Sequence, residues 1–364
     1  MRTIQPTVVL TMIQLSPTTF LIILAWIGLN VRVSLADASK PLALKIPVGQ
    51  TFQAVDTLVE PADESANALE CLNGLCWPVA GFEVRCTETQ QAVANAVLRF
   101  PSAKPVGDAV NDMVAVEWYA VIDDAGQLQT APAIVVVHES GRGMTVGRMV
   151  ARGLRDRGVH AFMVQLPFYG VRRAAGKRAE DEEFAAVMGQ GIADVRRSLD
   201  AVRVLPGVDG KNVSLQGTSL GGFVAATASG LDAAFHNVFV LLAGGNLSKL
   251  VMTGERETAA LRRMLAAKGF QGPTLFELLD RFEPNRLAHR IPADRLWVYS
   301  ANFDTTVPPE HAESFAKAAG VSDDHHIRMP ASHYSGVIFL PMILDHIATQ
   351  CGGRAILAAS VNQP

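Results

Sequence analysis

Val213-Ser214-Leu215-Gln216-Gly217-Thr218-Ser219-Leu220-Gly221-Gly222-Phe223-Val224-Ala225-Ala226 is the segment from which the architecture can be inferred. Apolar Val213 and Leu215 lead into the pentapeptide Gly217–Gly221, which fits G-x-S-x-G, and Phe223-Val224-Ala225-Ala226 opens a helix after it. A serine on such a strand-to-helix turn is held exposed on a strained backbone. Only small neighbours fit where the chain bends so sharply. The pentapeptide alone also occurs as a glycine-rich turn without chemistry. Its context makes two further tests available. A serine hydroxyl is inert at neutral pH and needs a base, and the base needs a third group to set its tautomer.

On either side of this segment the chain alternates between buried strands and helices. Ala133–Val137 is a continuous apolar run rich in β-branched residues, as expected of a strand covered on both faces. Helical periodicity follows at Thr145–Arg157, with Gly158 as its stop. Further strands are expected at Val159–Leu166, Asn212–Leu215, Val238–Leu242, Leu296–Ala301 and Ile327–Met329. Helices are expected at Glu182–Val204, Gly221–Ser229, Pro309–Ala319 and Val337–Ala348, with a strand-free helical stretch at Asn246–Arg290. Upstream, Ala92–Phe100 and Asp112–Ile122 read as strands, and residues 39–90 as an extension with short strands. The expected architecture is α/β: a mostly parallel sheet with helices on both faces, an N-terminal β extension and a helical cap insertion. Its ligands should meet the carboxyl ends of the strands.

That topology selects the partners of Ser219. With a nucleophile on this kind of turn the chain order is serine, acid, histidine. His311 and His346 fall inside expected helices, and His325 and His326 precede the last strand. His333 lies in the small-residue loop Ala331-Ser332-His333-Tyr334-Ser335-Gly336 after that strand, which makes it the candidate base. Asp304 sits just past the preceding strand, in Asn302-Phe303-Asp304-Thr305-Thr306-Val307-Pro308-Pro309, and is the candidate acid. Asp294, Asp323 and Asp324 precede their strands and belong to the wrong edge of the sheet. Two backbone N–H groups should receive the oxyanion. Leu220, which follows the nucleophile, offers one. The other is expected from the loop His138-Glu139-Ser140-Gly141-Arg142-Gly143, at Ser140 with Glu139 as the alternative.

From about Ala131 to Gln350 the chain resembles the α/β-hydrolases: the oxyanion loop, Gly217–Gly221, Asp304-x-x-Val307-Pro308 and His333 follow in that order. Val137-His138-Glu139-Ser140-x-Arg142-Gly143 is similar to the strand-end H-E motif of dienelactone-hydrolase-like and acetyl-esterase-like members. The resemblance implies ester hydrolysis through an acyl-serine, without metal or organic cofactor. Dienelactone hydrolases carry cysteine where this chain has Ser219, so their lactone chemistry does not carry over. The HGGG stretch of the hormone-sensitive-lipase group is absent from the sequence. Two rivals stay open: a serine peptidase or amidase on the same fold, and a non-catalytic binding protein that kept it.

Other signals are weaker. Gly141-Arg142-Gly143-Met144-Thr145-Val146-Gly147 is one residue too long for a dinucleotide fingerprint, and no acid follows the next strand. Gly170 to Gly176-Lys177 does not fit a P-loop, and His138-Glu139 does not continue to H-E-x-x-H. Glu139, Arg142, Tyr169 and Thr218 are candidates for the substrate-pocket lining. Residues 247–285 are the expected cap, within a catalytic domain of residues 131–352, after an extension of 39–130 and before a tail of 353–364.

The chain has 364 residues, 49% of them hydrophobic and 18% charged, with a formal net charge of -3. That composition excludes a disordered chain and a basic nucleic-acid binder. A mean hydropathy of +0.20 has one local source at the N-terminus. Arg2, the uncharged run from Thr3 to Asn30 and Ala36-Asp37-Ala38 follow the order of a secretory signal peptide over residues 1–38. The dense run Phe20–Leu29 is ten residues, short of the ~20 that cross a bilayer. A secreted or periplasmic location follows, with an uncleaved membrane anchor as the alternative and a small-molecule ester as the partner. Export would admit disulfides among the four cysteines, with Cys71–Cys76 across a turn at Asn73-Gly74 and Cys86–Cys351 as expected pairs.

Overall fold

Alternate residues of Ala133–Val137 enter two different cores: Ala133, Val135 and Val137 face one, Ile134 and Val136 the other. A strand with this demand must sit mid-sheet with both faces covered, and the computed structural model, which describes residues 45–177 and 183–356, places it there. In chain order the strands are β1 (Thr51–Val55), β2 (Gly81–Thr87), β3 (Ala96–Pro101), β4 (Met113–Tyr119), β5 (Ala131–Val137), β6 (His160–Gln165), β7 (Val208–Thr218), β8 (Val238–Leu241), β9 (Leu296–Ala301) and β10 (His326–Met329). They form one ten-stranded sheet in the order β1-β2-β3-β4-β6-β5-β7-β8-β9-β10. From β6 to β10 neighbours run parallel; from β1 to the β4–β6 pair they run antiparallel.

Among the described residues the helices are α1 (Ala66–Leu75), α2 (Thr145–Asp156), α3 (Phe184–Arg203), α4 (Leu220–Ser229), α5 (Leu247–Thr253), α6 (Arg256–Ala267), α7 (Pro273–Asp280), the single turn α8 (Pro284–Leu287), α9 (Pro309–Ala318) and α10 (Leu340–Gln350). Apolar residues of α3, α4 and α9 pack on one face of the sheet, and those of α2 and α10 on the other. Between β8 and β9 the chain makes only helices, and α5 to α7 add their apolar stripes to the first core.

The extension supplies four of the ten strands of the same sheet, β1 to β4. In β2, Phe82, Val84 and Cys86 are buried while Gly81, Glu83 and Arg85 are exposed, the alternation of a strand covered on one side. A buried ion pair and hydrogen bonds tie this part of the chain to α3. Asp56 accepts from Arg197 Nε at 2.9 Å, from Trp77 Nε1 at 3.1 Å and from the Ala80 amide at 3.1 Å. Asp200 accepts from the Thr57 amide and hydroxyl, and Arg196 joins Asp200 to Asp232.

Three expectations change. Residues 39–90 hold a helix, α1, besides strands: Ser65 caps it by accepting from the Ala68 amide, and Ala68, Cys71, Leu72 and Leu75 form its buried stripe. β7 begins at Val208, earlier than its apolar core suggests, because a bulge between Ala131 and Ala133 lets Val208 pair first.

The disulfides are the third correction, since all four cysteines are free. Cys71 lies within α1 and Cys76 caps its C-terminus, so no turn folds one onto the other. The Cys71 thiol meets the Asp280 carbonyl at 3.2 Å instead. Cys86 belongs to one core and Cys351 to the other, with the sheet between them. Burial raises the Cys76 and Cys86 thiols to about 11 and Cys351 to about 12, which keeps them protonated.

The expected signal segment, residues 1–38, and the last eight residues of the expected tail lie outside the described residues. Gly353 and Arg354 still hydrogen-bond back to Ala348 and Arg157. Among the described residues no helix is long and apolar enough to cross a membrane.

Candidate active site

The turn after β7 carries Ser219 at φ 53°, ψ -117°, an unfavourable backbone for any residue with a Cβ. Its surroundings over-determine it. The Ser219 amide donates to the Leu241 carbonyl on β8 at 2.9 Å, and its carbonyl accepts from Gly222. A Cβ on Gly217 would strike the Gly221 carbonyl, and one on Gly221 would strike the carbonyls of Val137 and His138. The glycines therefore let α4 start against the ends of β5 and β7.

Loops from two more strand ends converge on that serine. His333, after β10, sets Nε2 3.0 Å from Ser219 Oγ. Asp304, after β9, is 4% exposed and sets Oδ2 2.6 Å from His333 Nδ1. The other Asp304 oxygen accepts from the Thr306 and Val307 amides, both at 2.9 Å. The three side chains nominated from the sequence thus form one unbroken hydrogen-bond chain. With Nδ1 protonated toward Asp304, Nε2 is free to accept the serine proton, and the carboxylate compensates the imidazolium that results.

Ser140 and Leu220 belong to the same neighbourhood and line one cavity with Ser219. Leu220 is the first residue of α4, so its N–H has no carbonyl one turn earlier to bond. The Ser140 amide is aimed by its neighbours. His138 is fully buried, and its Nδ1 lies 2.6 Å from the Glu139 carbonyl while Nε2 accepts from the Leu166 amide at 3.1 Å. In a planar trans peptide the Glu139 carbonyl and the Ser140 N–H point in opposite directions, so the bond that fixes one orients the other. Tyr169 Oη donates to the Ser140 carbonyl at 2.9 Å and its ring lies 4.5 Å from that of His138.

The remaining pocket candidates separate. Tyr169 lines the cavity. Glu139 turns away to accept from the Val146 and Gly147 amides at 3.2 and 3.0 Å. A carboxylate suits that position, the unsatisfied first turn of α2. Thr218 is buried and accepts from Gln216 Nε2 at 2.8 Å. Arg142 is exposed. None of these three lines the cavity.

Several residues that frame the site escaped the sequence. Buried Glu117 on β4 accepts from Arg148, Tyr119 and Gln165, and the Gln165 carboxamide oxygen accepts from the Val171 amide, which fixes the loop bearing Tyr169. At the entrance the Tyr334 hydroxyl bonds the Glu257 carboxylate at 2.6 Å. The start of α6 is tied to the acid loop as well, since the Glu255 amide donates to Thr305 and the Thr258 hydroxyl to Thr306. Nothing local in the sequence couples these positions. Among the described residues no group of His, Cys, Asp and Glu side chains is arranged to hold a metal ion.

Burial pulls His138 from the ordinary 6.5 down to about 4, and His326, bonded to Ser300, also to about 4. Both stay neutral when folded, whereas in the unfolded chain they protonate near 6.5. Folded values that are depressed give a stability contribution that is whole above pH 6.5 and shrinks as pH falls toward 4. The melting temperature is therefore expected to be level between pH 7 and 8 and to fall steadily from about 6.5 to about 4. His138→Gln and His326→Gln should flatten that fall; an unchanged slope would refute the assignment.

The sequence matches no family model and no curated protein. Among solved structures, an acetyl xylan esterase from Paenibacillus sp. R4 is similar at 17% identity, covering 80% of this chain and 96% of that one, with a TM-score of 0.53. Acetyl xylan esterase 1 from Thermoanaerobacterium sp. JW/SL YS485 is similar at 15% identity, covering 81% and 96%, with a TM-score of 0.51. Likeness at this level concerns the path of the backbone. Taken with the parallel strands β5 to β10 and the strained serine turn between β7 and α4, it gives this chain the α/β-hydrolase fold.

Proposed function

We propose that the protein is a serine hydrolase of carboxylic esters. The observation that carries this reading is the hydrogen-bond chain Ser219 Oγ–His333 Nε2–Asp304 Oδ2, at 3.0 and 2.6 Å, on a strained strand-to-helix turn. Ser219 Oγ attacks the ester carbonyl while His333 Nε2 takes its proton. The Leu220 and Ser140 amides receive the negative charge that develops on the carbonyl oxygen. The tetrahedral intermediate collapses, the bond to the alcohol oxygen breaks, and His333 gives that oxygen the proton. Water then repeats the sequence against the acyl-serine and frees the acid and Ser219. Asp304 stays ionised throughout and holds His333 in the productive tautomer.

The helices α5 to α7 act as the cap over this site. An exported location, read from residues 1–38, belongs to the same proposal. A small fluorophosphonate is expected to label Ser219 alone, located by mass spectrometry of the peptide, and to abolish hydrolysis of a p-nitrophenyl ester in proportion to labelling. Hydrolysis that survives full labelling of Ser219, or an inert serine, would overturn the proposal.

A further inference from the structure

The cavity that begins at Ser219 extends far beyond what an acetyl group needs. It holds about 290 Å³, on the order of ten times the share of one water in the liquid. Its wall is built by α3, α4 and the inserted helices, with Met188, Phe223, Val251, Leu261, Met264 and Phe282 among its apolar side chains. Phe184 meets Phe282 edge-on at 6.2 Å, bracing α3 against the insertion. The charged side chains that touch the cavity, Glu257 and Lys268, are both exposed and so mark its rim. An apolar wall of this extent gains nothing from a ligand that leaves it filled with water.

Which side of the ester enters is fixed by the proton. The leaving oxygen must reach His333 Nε2, so the alcohol lies on the His333 side of Ser219. Neither His333 nor Tyr334 lines the cavity; the acid loop adds only Thr306 and Val307 to its wall, and most of its apolar surface comes from α3, α4 and the insertion. The acyl group also remains bound to Ser219 while the alcohol departs and water arrives, so a deep recess suits the part that stays.

We infer that the enzyme selects esters of medium-chain fatty acids by seating the acyl chain under the inserted helices, an inference that rests on the serine-hydrolase reading above. The structural relatives are named for acetyl esters; here the acyl recess predicts the opposite preference.

The test compares kcat/KM for p-nitrophenyl acetate, butyrate, hexanoate and octanoate with that for alkyl acetates of matching alcohol length. Along the acyl series kcat/KM is expected to rise about fourfold per methylene until the chain reaches the end of the cavity, which corresponds to about 0.8 kcal/mol per buried CH₂. Along the alcohol series it should stay level. Met188→Trp on α3 and Leu261→Trp on α6 fill the recess from two elements, and each should lower the octanoate-to-acetate ratio by about tenfold. Using a ratio, with active serines counted by fluorophosphonate, keeps a poorly folded variant from being misread. A level acyl series, or a rise along the alcohols instead, overturns the acyl assignment while leaving the hydrolase reading intact. Absence of both turnover and Ser219 labelling overturns both.

Discussion

Replacing Ser219 by alanine is expected to lower kcat for ester hydrolysis by on the order of 10⁶-fold. Among the described residues its side chain supplies the only nucleophilic oxygen in hydrogen-bond contact with His333 Nε2, at 3.0 Å. Without it, His333 and Asp304 have no hydroxyl to activate, and assistance to water falls back on the amides of Leu220 and Ser140 and the binding cavity. Such residual assistance accounts for about 10³ to 10⁴ over the uncatalysed rate in a serine hydrolase. Folding should survive. Alanine and serine meet the same steric objection to φ 53°, ψ -117°, so the strain at this position is unchanged. The one hydrogen bond lost is part-buried and costs about 1 kcal/mol or less. Kinetics on a p-nitrophenyl ester, a thermal melt and a fluorophosphonate challenge check all three points. Wild-type turnover by the alanine variant would show that another group attacks the ester. A collapse of the melting temperature would show that the hydroxyl is structural.

The parts of this site that can be read without coordinates are those fixed by local chemistry or by strand order. Gly217 and Gly221 announce the serine turn because any Cβ there would collide with backbone carbonyls. Asp304 and His333 follow because functional loops sit at the carboxyl ends of parallel strands. The other parts depend on which elements become neighbours. The stripe Ala68, Cys71, Leu72 and Leu75 has helical spacing and was open to reading. The paired cysteines and Asn73-Gly74 compete with it by suggesting a bridged turn. Cys86 and Cys351 are both buried, and only the sheet's position shows that they cannot meet. Glu139 next to His138 invites a role in substrate binding, yet its carboxylate serves the first turn of α2. Glu117 looks like an ordinary solvent-facing residue of a strand until Arg148, Tyr119 and Gln165 arrive from other positions to satisfy it.

Asp304→Asn should be the second most damaging change, lowering kcat by about 10⁴-fold with little loss of stability. The reason lies in what the two oxygens of Asp304 do. One accepts from the Thr306 and Val307 amides, and the other from His333 Nδ1. Asparagine has a single acceptor oxygen and one amino group that only donates. The two backbone N–H groups are fixed donors, so the oxygen must stay with them and the amino group must turn toward His333. There it requires Nδ1 to be an acceptor, which moves the imidazole proton to Nε2. Nε2 then donates to Ser219 Oγ and has no lone pair left for the serine proton. The loop remains capped, so the melt should change little, while the base is lost. Asp304→Ala makes the comparison decisive. It removes the carboxylate and the cap together, so it should lose stability through the two unsatisfied amides, yet it imposes no wrong tautomer. An asparagine variant that is stable and far slower than wild type supports this account. A loss smaller than tenfold would mean that Asp304 does not set the tautomer of His333, and the acid of the triad would have to be sought elsewhere.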